Sequence, residues 1–108
     1  MLHIPKRLLP DIMTVEVPDT DAAYGGHYLK PRTISHVRFE SAEQISTRDF
    51  ALADGATGRI FVDSANSEGS FEVPIGSRVT IGENRMTVLA CHRLVGFSGV
   101  HHWELDVQ

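Results

Sequence analysis

A chain of 108 residues with 42% apolar side chains is one domain in size, with enough hydrophobic material for a core that needs no staples. Its net charge of −4 argues against a nucleic-acid grip, which needs clustered Lys and Arg to displace counterions, yet suits a surface past which DNA slides without sticking. One cysteine excludes an intramolecular disulfide, and no apolar run is long enough for a signal peptide or a membrane span, so the cytoplasm of the producing cell is expected.

The chain opens on an arm, residues 1–10. Pro5 and Pro10 flank Lys6, Arg7, Leu8 and Leu9, and each proline lacks the N–H that a central strand needs. An extended segment lying on the domain or on a neighbour is expected. Lys6 and Arg7 either pair with an acidic partner surface or stay solvated at a frayed end. The first strand runs from Asp11 to Val17, with Met13, Val15 and Val17 on one face. Pro18 to Asp21 breaks it. Tyr24-Gly25-Gly26-His27-Tyr28 reads as a turn, because Pro31 disfavours the helix that a phosphate-binding loop requires.

Arg32 to Glu40 is the second strand, with Val37 and Phe39 inward and His36, Arg38 and Glu40 outward. Residues 41–58 follow no period. Ser41 and Gln44 fit a capping box and allow a short helical turn, but Ile45, Phe50 and Leu52 do not repeat at 3.6 residues. A connection this long reads as a mobile insertion between strands. Arg59 to Asp63 resumes as a strand, residues 64–70 form a polar turn, and Phe71 to Val73 pairs at most weakly before Pro74.

Residues 78–107 are the clearest stretch, a three-stranded antiparallel meander. Val79 and Ile81 alternate with Arg78 and Thr80, and Gly82-Glu83-Asn84 makes the first turn. In the next strand Met86, Val88 and Ala90 share one face and Leu89 and Cys91 the other. Gly96 to Gly99 turns the chain again. Trp103, Leu105 and Val107 then point inward, leaving His102, Glu104 and Asp106 on an exposed face. Frequent turns and no convincing helix give an all-β fold: a small antiparallel β-barrel or sandwich, a single domain over 1–108 with a long inter-strand loop and an extended arm.

Chemistry-bearing residues are sparse. His92, His101 and His102 lie near one turn, but neighbours on a strand face opposite ways and no further ligand completes a metal set, so no metal and no cofactor is expected. Asp63, Asn66 and Ser67 lack calcium-loop spacing and read as residues capping their own turn. No nucleophile–base order can be assembled, and Cys91 reads as a small apolar residue on a buried strand rather than an activated thiol. An enzyme is not expected.

In order along the chain, Ile4 to Pro10, His36-Val37-Arg38, Phe61-Val62-Asp63 with Asn66-Ser67, Gly76 to Thr80, Met86-Thr87-Val88 and His101 to Leu105 resemble the minor capsid family of tailed phages and prophages of Gram-positive hosts. The likeness spans almost the whole chain. It implies a structural virion protein of the head–tail connector, similar to the head-closure or stopper rings below the portal and its adaptor, which retain DNA and take the tail. The implied partners are further copies of the chain in a ring, portal or adaptor proteins and tail-completion proteins, with DNA passing nearby without sequence-specific binding. The implied location is the head–tail joint of the virion, reached from the host cytoplasm. Partner contacts are expected at Lys6, Arg7 and Leu8 of the arm, at Arg48, Asp49 and Phe50 of the insertion, and at Asp63 and Asn66 of the polar turn. Arg48 and Arg59 would bring positive charge to a lumen, with Asp49, Asp54 and Asp63 as their available partners. Two alternatives stand beside this reading: a neighbouring connector component, adaptor or tail terminator, and a small cytoplasmic β-barrel that binds a ligand or metal through His92 and His101.

Overall fold

Among the described residues, six antiparallel strands close on themselves: β1 (Asp11–Glu16), β2 (Arg32–Ser41), β3 (Gly58–Asp63), β4 (Arg78–Ile81), β5 (Asn84–Gly96) and β6 (Gly99–Val107). Their order around the barrel is β1-β2-β3-β6-β5-β4, and β4 returns to pair with β1. The structure, a computed structural model, describes residues 3–21, 26–45 and 52–108. Closure gives every strand two neighbours and leaves no open sheet edge. The all-β reading holds, a barrel is what forms, and β4-β5-β6 is the expected meander.

Period-two apolar residues fill the barrel. Met13 and Val15 of β1, Ile34 and Val37 of β2, Ile60 and Val62 of β3, Val79 of β4, Met86 and Val88 of β5, and Trp103, Leu105 and Val107 of β6 are all buried in one cluster. Each such side chain contributes about 1.5–3 kcal/mol on leaving water. These side chains occupy the interior of the barrel. Residues 71–73 form no strand; Val73 is fully buried in the same cluster, and the Arg32 guanidinium lies 3.6 Å over the Phe71 ring.

Three single-residue bulges change what strict alternation predicts. In β2, Asp11 pairs with Val37 and Ile12 with Ser35, so His36 is the extra residue, at φ +57°. The shift keeps both Ile34 and Val37 inward. In β5, Val88 pairs with Val107 and Ala90 with Asp106, leaving Leu89 as the extra residue. Cys91 thus packs on the core opposite Leu105, which corrects the expected grouping of Ala90 with Met86 and Val88. In β6, Leu94 pairs with His102 and Val95 with Val100, so His101 is extra.

Much of the outer surface of β2, β3 and β6 is covered too. Glu40 points outward as expected yet is buried. Asp106 is fully buried, correcting the expectation that it shares an exposed face with Glu104. At the start of the insertion the short helix α1 (Ala42–Ile45) follows β2, and the Ser41 N–H donates to Gln44 Oε1 at 2.7 Å, half of the expected capping box. At its end Ala42 N–H donates to Thr57 O (2.8 Å) and Thr57 N–H to Val107 O (2.7 Å), tying the insertion's base to the barrel.

Candidate functional site

The arm is held against the turn that follows β3, and that turn is built by Asp63. One oxygen of its carboxylate accepts the N–H groups of Ala65 (3.0 Å) and Asn66 (2.8 Å); the other accepts the N–H of Ile4 on the arm (3.0 Å). The Asp63 N–H donates to Ser67 Oγ, whose hydroxyl donates to the His36 carbonyl. These residues do cap their own turn, and the turn also grips residues some sixty positions away. Asn66 Nδ2 donates to Ile4 O (2.8 Å), and His3 Nδ1 lies 3.2 Å from the Asp63 carboxylate. Burial pushes the Asp63 carboxyl up, but the three backbone N–H groups and His3 outweigh it and hold it below the ordinary range.

Lys6, Arg7 and Leu8 form one 3-10 turn, after which Leu9 is buried. Lys6 Nζ donates to Glu68 at 2.8 Å, and the His36 ring lies 2.6 Å from the other Glu68 oxygen. The two hydrogen bonds, Lys6 first, lower the Glu68 carboxyl to about 2. Arg38 Nη1 donates to Leu8 O (3.4 Å). Of the expected contact residues, Lys6, Leu8, Asp63 and Asn66 thus converge on one clasp within the chain. Arg7 is exposed beside it. Under the arm lies a cavity of about 320 Å³ lined by Ile4, Leu8, Leu9, Phe61, Arg38 and Glu40. Arg48, Asp49 and Phe50 lie outside the described residues, as do Tyr24 and Gly25 of the expected turn.

A polar chain crosses the outer face of β3 and β6. Arg59 donates from Nε and Nη2 to Asp106 (2.6 and 3.3 Å) and from Nη1 to Glu104 (3.0 Å). Arg59 is thereby engaged by Asp106 and Glu104, two carboxylates of β6 that the sequence did not single out as its partners, while Asp49 lies outside the described residues. Ala53 N–H donates to Asp106 Oδ2 (3.0 Å), and His92 Nε2 lies 3.0 Å from the same oxygen. Burial raises the Asp106 carboxyl, and Arg59, His92 and Ala53 together more than reverse the effect. The bond from His102 (2.9 Å) leads in lowering Glu104, against burial and with help from Arg59.

The histidines group differently from expectation. His92 belongs to Asp106. His101 and His102 have Nδ1 atoms only 2.7 Å apart, because the bulge at His101 removes the opposite-face rule for these neighbours. His101 also stacks on His3, with ring centroids 4.8 Å apart and 4° between planes. Among the described residues, His3, Asp63 and His101 have ligand atoms all within 4.8 Å of one another. His3 carried no signal in the sequence, since only the folded arm brings it here.

A further surface feature among the described residues is the β5–β6 hairpin. Gly96 pairs with Gly99, leaving Phe97 and Ser98 at the tip, and Phe97 is fully exposed with Val95 largely so. Burial raises the Cys91 thiol, the reverse of an activated nucleophile. Among the described residues no helix is long and apolar enough to cross a membrane.

Compared with known proteins, residues 5–107 match the family described as minor capsid protein. No curated protein and no solved structure matches the chain.

Proposed function

The chain belongs to the phage minor capsid protein family, a family of virion structural proteins, and from that premise we propose that it is a ring-forming component of the head–tail connector. Its role in this reading is head closure: a stopper below the portal and adaptor that retains DNA and receives the tail. The family match over nearly the whole chain carries the proposal. A structural family also favours binding other proteins over turning over a substrate.

Physical features support it. The barrel interior is filled by side chains, so a DNA conduit can only lie between copies, not through one. A closed ring needs two different surfaces on each subunit, joined head to tail. The clasped arm with its cavity and the apolar hairpin tip are two such surfaces. A net charge of −4 disfavours adhesion to the passing phosphates.

The test is to mix the purified chain with the portal complex of its own virus and examine it by negative-stain microscopy. A ring of added density on the portal is expected. Free monomers at micromolar concentration, with bare portals, would refute the role.

A further inference from the structure

We propose that His3, Asp63 and His101 form a divalent transition-metal site, suited to zinc or nickel, that staples the N-terminal arm to the barrel. Two imidazoles and a carboxylate are the donor types these ions take. Metal–ligand distances of about 2.0–2.2 Å place tetrahedral donors roughly 3.4 Å apart. His3 Nδ1 already lies 3.2 Å from the Asp63 carboxylate, and all the donor atoms fall within 4.8 Å. Drawing the set onto one ion requires the His3 ring to tilt out of its parallel stack on His101. Its side chain is 40% exposed, so neighbouring side chains leave room for that rotation.

The other two ligands are fixed in advance. Asp63 is fully buried and oriented by the N–H groups of Ile4, Ala65 and Asn66. His101 is buried on its bulge, and its carbonyl accepts from both Ser64 N–H (3.1 Å) and Ser64 Oγ (2.9 Å). Behind its ring, His102 contacts His101 Nδ1 and then Glu104, which Arg59 holds in turn. An imidazole backed by a second imidazole and a carboxylate is the outer support that orients metal-ligating histidines. On the open side, a hollow of about 70 Å³ lies between His3, His101 and the Gly96–Gly99 turn. Water needs about 30 Å³, so solvent can complete the coordination. The proposal does not depend on the connector role.

The experiment uses the full chain without a histidine tag, freed of metal by a chelator and titrated with zinc chloride in a calorimeter near pH 7.5. One equivalent per chain is expected, with a rise in unfolding temperature that excess chelator reverses. His3→Ala and His101→Ala should each weaken binding by about tenfold or more, whereas His92→Ala should leave it unchanged. His3 is exposed on the arm, so its variant reports on binding even if the one at buried His101 folds poorly. Absence of stoichiometric binding up to millimolar zinc, or binding that survives His3→Ala, overturns the site.

Discussion

Arg59 and Asp106 sit opposite each other in the β3–β6 ladder and are joined by two hydrogen bonds, of 2.6 and 3.3 Å, with both side chains sealed from water. A buried pair of this kind is costly to break one-sidedly, because the survivor is left charged and desolvated. Asp106→Ala should therefore lower unfolding free energy by about 3–5 kcal/mol. Arg59→Met should cost a similar amount, since it takes the guanidinium from two carboxylates at once, Asp106 and Glu104. Urea unfolding of each variant against wild type checks both. A loss below about 1 kcal/mol would mean that water reaches the pair.

The same carboxylate sets an acid limit. Its pKa in the folded chain lies below the ordinary 3.8, so its contribution is fully present above 3.8 and disappears as pH falls through the lower folded value. The stability gap between wild type and Asp106→Asn should accordingly narrow once pH drops below about 3.8. Denaturation at pH 6 and at successive values under 4 gives the comparison. A gap that stays undiminished through pH 2 would show that Asp106 is not the titrating group.

The barrel was legible because period-two alternation survives in β1, β3, β4 and most of β6, where Met13, Val15, Ile60, Val62, Val79, Trp103 and Leu105 fall as the pattern demands. It failed at the bulges. Nothing local distinguishes His36, Leu89 or His101 from an ordinary strand residue, yet each shifts the faces beyond it. The site was half legible. Asp63 and Asn66 stood out as turn-capping residues, and Lys6 as a charge on an arm. Their convergence with His3, and the covering of Asp106 by Arg59 and Ala53, arise from contacts across about fifty to sixty residues that no short-range pattern encodes.

Gly69 closes the polar turn at φ +81°, and a Cβ there would lie 2.6 Å from the Thr33 carbonyl oxygen. Both the left-handed backbone and the contact penalise a side chain. Gly69→Ala should cost about 1–3 kcal/mol and loosen the arm, since Glu68 beside it holds Lys6. Thermal unfolding reads the first effect. Faster proteolysis at Lys6 or Arg7 reads the second, and wild-type cleavage there would separate the turn from the arm.

Removing residues 43–56 tests how far the insertion is a separate appendage. Ala53 supplies an N–H to buried Asp106, so the deletion takes a donor from the ionic network along with the loop. The barrel should still form, because its ladders lie outside the deleted stretch, at a cost of about 1–3 kcal/mol for the lost donor. Restoring residues 52–56 while omitting 43–51 should recover most of that loss. Equal stability of the two deletions would exclude Ala53 as the reason.

Phe97 offers the sharpest separation of stability from assembly. Its ring is fully exposed at the hairpin tip, so it contributes nothing to the core, and Phe97→Ser should change unfolding free energy by no more than about 0.5 kcal/mol. An exposed aromatic beside Val95 has the character of an anchor for a partner, since burying such a ring on contact is favourable by about 1.5–3 kcal/mol. In the connector reading, a phage carrying Phe97→Ser should make filled heads that leak DNA or lack tails, while the purified variant unfolds like wild type. Electron microscopy of particles and a thermal scan of the protein are the paired measurements. Normal tailed particles from that phage would remove the hairpin tip from the assembly surface.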